Sequence, residues 1–262
     1  MYKRQGESKL ILEHFWNTTA NGEDLHSHTM KFGGGLLVDS LQETVLGANP
    51  LQQARWEFNP YGFTEYTYEF NTSFAWIAGM RVEHHNLYGL YLLPRMNMRW
   101  TTPNEWIVKL SAGRSARSPF ILTESFGRFA SGRQFLVDSA FINNAYDERA
   151  WTYGINLFKS FEIGNTSWEW VMDAYRTEFQ RHTVFNIEDP SILKIQMLQG
   201  RAFSNSFQID LVTNWLDNLK TSVSIKGDQT FTTYDGILLR DPFVPKWVLL
   251  QNIAYNLSLI HI

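Results

Sequence analysis

The sequence predicts an all-β protein with the architecture of an antiparallel up-and-down transmembrane β-barrel, present as a partial barrel, an open curved sheet of about eleven strands. Apolar and polar residues alternate along most of the chain, and a side-chain period of two gives each strand one apolar and one polar face. The alternating stretches reach the roughly 9–11 residues that a tilted strand needs to cross a bilayer, whereas an average soluble strand has about 5–6. Trp and Tyr crowd the ends of the apolar faces, where the aromatic girdles of membrane barrels lie.

The clearest pair of strands is the hairpin between Glu148 and Phe179. The apolar face of its first strand carries Trp151, Tyr153, Ile155 and Leu157. After the turn at Gly164-Asn165-Thr166, the apolar face continues with Trp168, Trp170, Met172 and Ala174. The apolar phase then shifts by one residue, to Tyr175, Thr177 and Phe179. Because a one-residue shift moves side chains to the opposite face, the pattern predicts a β-bulge near Ala174 that keeps Tyr175 on the apolar face.

The other predicted strands follow the same alternation. In chain order they are Lys9–Thr19, His28–Leu41, Arg55–Phe70, Phe74–His84, Leu90–Trp100, Trp106–Ala112, Phe203–Trp215, Thr221–Phe231 and Trp247–Asn256. The second of them contains Gly33-Gly34-Gly35. A phosphate-binding loop would need a strand, a Gly-rich turn and a helix in succession, and that context is missing. We therefore interpret these glycines as a kink or a close backbone approach within a strand.

The connections between the strands alternate between long and short from the second strand onward. The long connections are Gln42–Gln53, Ser118–Asp147, Gln180–Ala202 and Thr232–Lys246, with His85–Gly89 as a short exception among them. The short connections contain Asn71-Thr72, Thr101–Asn104, Gly164–Thr166 and Leu216–Leu219. Outer-membrane barrels have short periplasmic turns and longer extracellular loops, so the asymmetry predicts that the long connections are extracellular.

The composition excludes several classes of site and partner. The chain has no cysteine, which removes disulfides, thiolate nucleophiles and cysteine-ligated metal sites. No stretch holds the roughly 18 consecutive apolar residues of a transmembrane helix. A net charge of −3 gives no basic footprint for nucleic acid. No Ser/His/Asp signature or nucleophile elbow is present, so we predict that the protein is not an enzyme, and no cofactor is indicated.

The two ends of the chain are related through their possible codons. One 15-base DNA sequence can encode Leu257–His261. Its reverse complement, read from a GTG start codon, encodes Met1–Gln5. An inverted repeat of this kind matches the adapter used in transposon-based DNA library preparation. We therefore expect residues 6–256 to form the partial barrel, and residues 1–5 and 257–262 to be translated sequencing adapter.

Six short segments carry a resemblance to a known family. They are Gly79–His85, Pro94–Met96, Leu110–Pro119, Asp147–Trp151, Asp173–Phe179 and Val244–Lys246. In this order and spacing the chain resembles the β-barrel of TonB-dependent outer-membrane receptors, near the cobalamin and siderophore receptor branch. In that family a plug domain fills a barrel of about 22 strands, and a TonB box couples the receptor to the inner membrane. The chain contains neither plug nor TonB box, so the resemblance implies a middle-to-late slice of such a barrel.

The resemblance also implies a function and a location. The full-length protein is expected to be an outer-membrane receptor for active uptake of a scarce ligand, such as a siderophore or cobalamin. Its partners would be outer-membrane lipid, the plug domain of the same full-length chain, TonB acting through the missing N-terminal region, and the small-molecule ligand. Two alternatives remain open on the sequence alone: a soluble or surface-attached β-rich glycan-binding module, and a passive porin.

Four residues are candidate ligand contacts. His84 and His85 lie at the rim where the resemblance places the ligand, although an ordinary position at a strand end also explains them. Arg128 and Arg133 lie in Ser118–Asp147 among phenylalanines. This mixture suits an anionic or aromatic ligand, and equally a loop that packs on itself.

One further pair of histidines was weighed as a metal site. His26 and His28 could chelate a metal as an i,i+2 pair. A position at the edge of a turn explains them more simply, and no metal site is predicted.

Overall fold

The computed structural model describes residues 9–21, 27–45, 51–124, 126–129, 133–138, 146–216, 218–242 and 244–255, and most of these residues lie in β-strands. The strands are β1 (Lys9–Asn21), β2 (Ser27–Val45), β3 (Leu51–Asn71), β4 (Phe74–His85), β5 (Gly89–Thr101), β6 (Ile107–Arg117), β7 (Gln134–Val137), β8 (Glu148–Ile163), β9 (Thr166–Arg181), β10 (Thr183–Asn186), β11 (Ile192–Met197), β12 (Ala202–Leu216), β13 (Leu219–Tyr234), β14 (Ile237–Arg240) and β15 (Trp247–Tyr255). Two short helices, α1 (Ile121–Glu124) and α2 (Phe126–Phe129), lie between β6 and β7. Neither is long or apolar enough to cross a membrane, and the described residues contain no other helix.

The main sheet is antiparallel, and its strands lie side by side in the order β1-β2-β3-β4-β5-β6-β8-β9-β12-β13-β14. It is open, with β1 at one edge and with β14 and β15 at the other. β14 pairs with residues 231–234 of β13, and β15 pairs with residues 219–227 of the same strand. These two strands are therefore halves of one strand that is interrupted by residues 241–246. Counted in this way, the sheet confirms the predicted open antiparallel sheet of about eleven strands.

A tight hairpin between β13 and β14 was not predicted. Its turn residues Asp235 and Gly236 both have positive φ angles, 47° and 86°. Positive φ at both central positions is what a type I′ hairpin turn requires, and Asp-Gly is among its favoured sequences. The prediction of a continuous loop over Thr232–Lys246 is therefore wrong in its first half, because this turn returns the chain to the sheet.

Strand register places apolar mid-strand residues of five strands on one side of the sheet, which we call the outer face. From β4 to β8 each of these residues is the direct cross-strand partner of the next, and β9 extends the face to β12. They are Trp76, Met98, Leu110, Ile155 and Ile209. The opposite side, the lumenal face, is polar: Arg95 pairs with Glu65, and the Asn156 amide donates to Asp173 at 2.8 Å. The alternation in the sequence is thus a true separation of an apolar from a polar surface.

The predicted bulge near Ala174 is wrong. β9 pairs with β12 without a break in register, and the bulge in its pairing with β8 lies instead opposite the Arg149/Ala150 step. Tyr175 stays on the lumenal face, where its hydroxyl lies 3.5 Å from Asp173. The reason is Gly154, which Tyr175 faces across the strands: a Cβ on that glycine would come within 2.4 Å of the Tyr175 ring. The aromatic ring fills the space that the glycine leaves open.

The long connections on either side of β8 and β9 fold into a unit of their own, which we call the loop module. It comprises α1, α2 and a three-stranded sheet in which β11 pairs antiparallel with β10 and parallel with β7. Its hydrophobic core contains Ile121, Leu122, Tyr146, Leu193 and Ile195. A hydrophobic core therefore lies in the loops, at the end of the sheet that the sequence predicts to be extracellular.

The connection predicted at Gln42–Gln53 is mostly strand. β2 runs to Val45 and β3 begins at Leu51, so the interval outside the described residues is 46–50. Glu43 in this extension is 0 % exposed, because its carboxylate accepts hydrogen bonds from the Thr123 backbone N–H, at 2.9 Å, and from the Thr123 hydroxyl. The loop prediction is wrong here because the loop module packs on these strand ends and extends their pairing.

Placing an arginine on the outer face should prevent stable insertion. Leu110 lies on this face between Met98 and Ile155, and an arginine at the midplane of a lipid-facing surface costs roughly 2–4 kcal/mol. We expect Leu110→Arg to lower the free energy of unfolding of the full-length protein from lipid vesicles by about that amount in urea titrations.

The matched control is Asn97→Arg. Asn97 is exposed on the lumenal face of the neighbouring strand, near the same level. We expect little change for this variant, and equal losses for the two arginines would contradict the assignment of the faces.

Candidate ligand-binding site beneath the loop module

Ionisable residues are buried where the loop module meets the lumenal face. Their exposure is at most 8 %, and they include Glu43, Arg55, Glu57, His85, Asp147 and Glu148. Burying an ionised group is unfavourable unless an opposite charge or hydrogen bonds compensate for the lost hydration. The partners of these side chains therefore determine how the loop module is held on the barrel wall.

The first attachment joins β3 to the start of the long connection after β6. Arg55 Nε donates to Glu57 at 2.6 Å, and Arg55 Nη2 donates to the backbone carbonyl of Pro119 at 2.8 Å. The Arg55 guanidinium also lies 5.6 Å from the ring centre of Phe120, and the Ser118 hydroxyl donates to Glu57. These contacts fix the point at which the chain leaves β6 and turns over the lumenal face.

The second attachment is at Asp147, where the same connection returns to the sheet. Its carboxylate is 1 % exposed and lies 2.5 Å from Arg149 Nε and 2.6 Å from Arg181 Nε. The Tyr91 hydroxyl donates to it at 3.2 Å. Two guanidinium groups and one phenol thus stabilise the buried anion and join three strands at one point.

The third attachment surrounds Glu148, the first residue of β8. Arg117 Nε donates to this carboxylate at 2.8 Å, and Arg117 also forms a bidentate pair with Glu124, both distances being 2.9 Å. His182 Nδ1 lies 2.8 Å from Glu148 Oε1, and the Thr183 backbone N–H donates to the same oxygen at 3.2 Å. The ends of β6 and β8, α1 and the start of β10 are therefore linked through one carboxylate.

A cavity of about 180 Å³ opens beside this third attachment. Its polar and charged lining residues are Arg117, Glu124, Arg128, Glu148, His182, Thr183, Thr232, Tyr234 and Asp241. It lies between the barrel wall and the loop module, so its shape depends on both. Such a cavity can offer hydrogen-bond donors and acceptors, and both positive and negative charges, to a small polar molecule.

The two histidines predicted as ligand contacts point in opposite directions, as neighbours on a strand must. His84 is exposed on the outer face, whereas His85 is 2 % exposed on the lumenal face. His85 Nδ1 accepts from the Leu87 backbone N–H at 3.1 Å, and its ring lies 4.4 Å from the ring of Tyr88. Burial raises the pKa of Tyr88, so this phenol stays protonated at neutral pH. The structure does not bring the two histidines together.

Both predicted arginines belong to the long connection that contains the helices of the loop module. Arg128 lines the cavity, and its guanidinium lies 4.6 Å from the ring centre of Phe185. Arg133 Nε donates to the backbone carbonyl of Pro190 at 3.0 Å, away from the cavity. Of the four predicted ligand contacts, the structure places Arg128 in the cavity wall.

Arg128 is the one polar lining residue of the cavity that was predicted from the sequence, and the residues missed include Arg117, Glu148 and His182. The opposite charges of Arg117 and Glu148 are visible in the sequence, but only the register of β6 with β8 shows that the two residues face each other. His182 follows the end of β9, and only the folded chain shows that it meets Glu148.

Of the two histidines considered as a metal-binding pair, the structure describes His28 but not His26. His28 Nδ1 lies 2.6 Å from the Tyr66 hydroxyl, and its ring lies 4.9 Å from the ring of Tyr68. His26 lies outside the described residues. Within the described ranges, no group of three or more His, Asp or Glu side chains is arranged to hold a metal ion.

Comparisons with known proteins agree with this architecture. A family model described as "TonB dependent receptor-like, beta-barrel" matches residues 7–249. No curated protein matches the chain at a significant level.

Solved structures with the same fold include receptors and a transporter. The siderophore receptor PirA from Pseudomonas aeruginosa aligns with a TM-score of 0.60 and 11% identity over 94% of this chain and 50% of its own. The ferric enterobactin receptor PfeA from Pseudomonas aeruginosa, in complex with enterobactin, aligns with a TM-score of 0.64 and 11% identity over 95% of this chain and 39% of its own. The copper transporter OprC aligns with a TM-score of 0.55 and 12% identity over 86% of this chain and 38% of its own.

The chain spans half or less of the length of these solved structures. At such low identity the likeness concerns the fold, whereas the family model covers most of the sequence. The open antiparallel sheet, its apolar outer face and its polar lumenal face are features of an outer-membrane barrel wall. The chain belongs to the family of TonB-dependent receptor β-barrels.

Proposed function

We propose that this chain forms part of the wall and mouth of an outer-membrane receptor that takes up a scarce small-molecule ligand by TonB-driven active transport. The observation that carries the proposal is the loop module, which folds over the lumenal face around its own hydrophobic core. Contacts of Arg55 with Pro119, of Arg117 with Glu124 and of Arg181 with Asp147 hold it there. A folded structure at the mouth suits ligand capture better than free passage.

The passive porin is less well supported. A porin conducts through a water-filled channel, and loops that fold across the lumenal face would obstruct it. The attachments at Arg55 and Arg181 also join the loop module to several strands, which opposes movement of the loops out of the way.

The soluble glycan-binding module is also less well supported. Many large apolar side chains of the outer face are at least 39 % exposed, among them Met96, Trp100, Leu110, Ile155 and Phe207. Soluble monomers rarely expose a contiguous apolar patch larger than a few hundred Å². Lipid explains this surface without a further partner.

The ligand is proposed only by class. The solved structures with the same fold include those of a siderophore receptor, of a ferric enterobactin receptor in complex with enterobactin and of a copper transporter. We propose a siderophore or cobalamin as the class of ligand. The cavity beside Glu148, about 180 Å³ in volume and lined by charges of both signs, would hold one polar group of such a molecule and not the whole of it. We propose Arg128 as a direct contact, while His84, His85 and Arg133 stay predictions. In the full-length protein, the plug domain would occupy the lumenal side and pass the signal from TonB.

Uptake should depend on TonB. The full-length gene would be expressed in cells with and without tonB, and accumulation of radioiron-labelled enterobactin and of labelled cobalamin would be measured. We expect accumulation of at least one probe in cells with tonB and its loss in cells without it, because transport against a gradient needs coupling to the inner membrane. Leakage of small sugars that is unaffected by tonB, with no accumulation of either probe, would instead identify a porin.

Arg128 should contribute directly to affinity. Replacing Arg128 by Ala removes a guanidinium from the cavity wall, and hydrogen bonds to charged groups contribute roughly 1.5–3 kcal/mol. We therefore expect binding of the transported probe to full-length protein to weaken by about tenfold or more in calorimetry.

The control is Lys194→Ala, which removes a cation from the same loop module at a site outside this cavity. It should leave affinity unchanged. Equal affinities of the Arg128→Ala variant and the wild type would remove Arg128 from the site.

A further inference from the structure

A groove of about 620 Å³ lies on the outer face of the sheet, away from the lumen and the loop module. It crosses β9, β12 and β13 and ends at the interruption between β14 and β15. Its lining includes Arg176, Phe207, Phe231, Arg240, Lys246 and Trp247. Three cations among aromatic side chains are unusual on a surface that otherwise faces hydrocarbon.

Strand geometry sets the level of this groove in the membrane. On β9, Trp168 and Glu178 lie on the outer face and are ten residues apart. At about 3.3 Å per residue and a tilt near 40°, this interval spans about 25 Å along the membrane normal, the height of the apolar band of an outer-membrane barrel. Arg176 lies just inside the loop-side end of this band. Arg240 is in register with Glu178 across three strands, through the pairs Arg240–Phe231, Phe231–Phe203 and Phe203–Glu178, so it lies on the loop side of the groove.

The arginines of the groove are held in fixed positions. Arg176 Nη1 donates to Asn205 Oδ1 at 2.8 Å, and its guanidinium lies 4.5 Å from the ring centre of Phe203. Arg240 Nη2 donates to the backbone carbonyls of Asp228, at 3.2 Å, and Val244, at 3.1 Å. Because carbonyls carry no net charge, these contacts orient the Arg240 side chain without neutralising it.

The balance of charge at the groove is positive. Glu178 lies on the outer face, where its carboxylate pairs with Arg176 and Arg201. Arg240 and Lys246 remain as further cations, and the Lys246 side chain is exposed. The Asp228 carboxylate pairs with Lys226, at 3.0 Å.

Gly227 shapes the floor of the groove. The indole of Trp247 lies against it, and a Cβ at this position would come within 2.7 Å of the ring. The glycine therefore lets the indole lie flat against β13 and leaves an apolar surface directly beneath the cations. Phe207 continues this surface toward the middle of the band.

We propose that this groove binds the headgroup of a phosphorylated glycolipid of the outer leaflet, with the phosphate at Arg240 and Lys246. The acyl chains would lie on Phe207 and Trp247. Cations at the boundary of an apolar band match the depth at which lipid phosphates lie, and basic pockets of this kind recognise anionic headgroups. A free anion would make no favourable contact with the apolar surface beneath the cations, and a protein partner would have to displace lipid.

The test uses full-length protein purified in detergent and titrated with lipid A that carries its phosphates, followed by native mass spectrometry. Each cation near an anionic lipid contributes about 1 kcal/mol, so an Arg240→Ala/Lys246→Ala variant should bind roughly 30-fold more weakly. The single variant Arg240→Gln, which keeps a polar side chain of similar length, should bind about fivefold more weakly. Lipid A from which the phosphates have been removed should bind wild-type protein as weakly as lipid A binds the double variant.

The matched control is Lys159→Ala. Lys159 is a cation on the same outer face near the opposite end of the band, where its amine lies 5.4 Å from the ring centre of Trp106. Its loss should leave the affinity for lipid A unchanged, and resistance to unfolding in detergent should show that all variants are folded.

Three results would overturn the proposal. Unchanged binding by the double variant would remove the cations from the site. Equal binding of dephosphorylated lipid would show adsorption to the apolar surface alone. Complete displacement of lipid A by millimolar inorganic phosphate would identify a site for free anions and not for a lipid headgroup.

Discussion

Backbone hydrogen bonding in lipid is the constraint on which the rest of this structure depends. The hydrocarbon offers no partner for a backbone N–H or C=O, so each spanning strand must pair along its length with neighbours on both sides. Ten consecutive strand pairings meet this demand within the sheet. They run from β1 with β2 to β13 with β14 and β15, which count as one strand. Side chains are then free to alternate, apolar toward lipid and polar toward the lumen. The length of the strands and the outer face both follow from this one condition.

The same constraint explains where the hydrophobic core and the buried charges lie. A single sheet with lipid on one side has no second layer to pack against, so the core forms in the loop module, around residues such as Leu122 and Leu193. The module must also cover polar strand ends, where guanidinium groups stabilise the buried carboxylate of Asp147 and hydrogen bonds from Thr123 stabilise that of Glu43. The candidate site is therefore a junction of wall and loops, and its geometry depends on both.

Periodicity could predict the wall but not the junction. Strands such as β8 alternate cleanly because one face meets lipid, and residues such as Ile155 were placed correctly. Tyr175 was misplaced because its position depends on the space above Gly154 in the neighbouring strand. The short strands β7, β10 and β11 lack alternation, since they pack within the loop module. The partnership of Arg117 with Glu148 depends on register, which periodicity alone does not set.

The central claim, that the sheet is a membrane wall with one face toward lipid, is tested most directly by a nitroxide scan along β8 in the full-length protein reconstituted in vesicles. Single labels at positions 151–158 would be probed for collisions with oxygen, which concentrates in lipid, and with a water-soluble nickel complex. The account predicts a period of two, with oxygen favoured at Tyr153, Ile155 and Leu157 and the nickel complex favoured at Gly154 and Asn156. Equal access of the nickel complex to both sets of positions would contradict it.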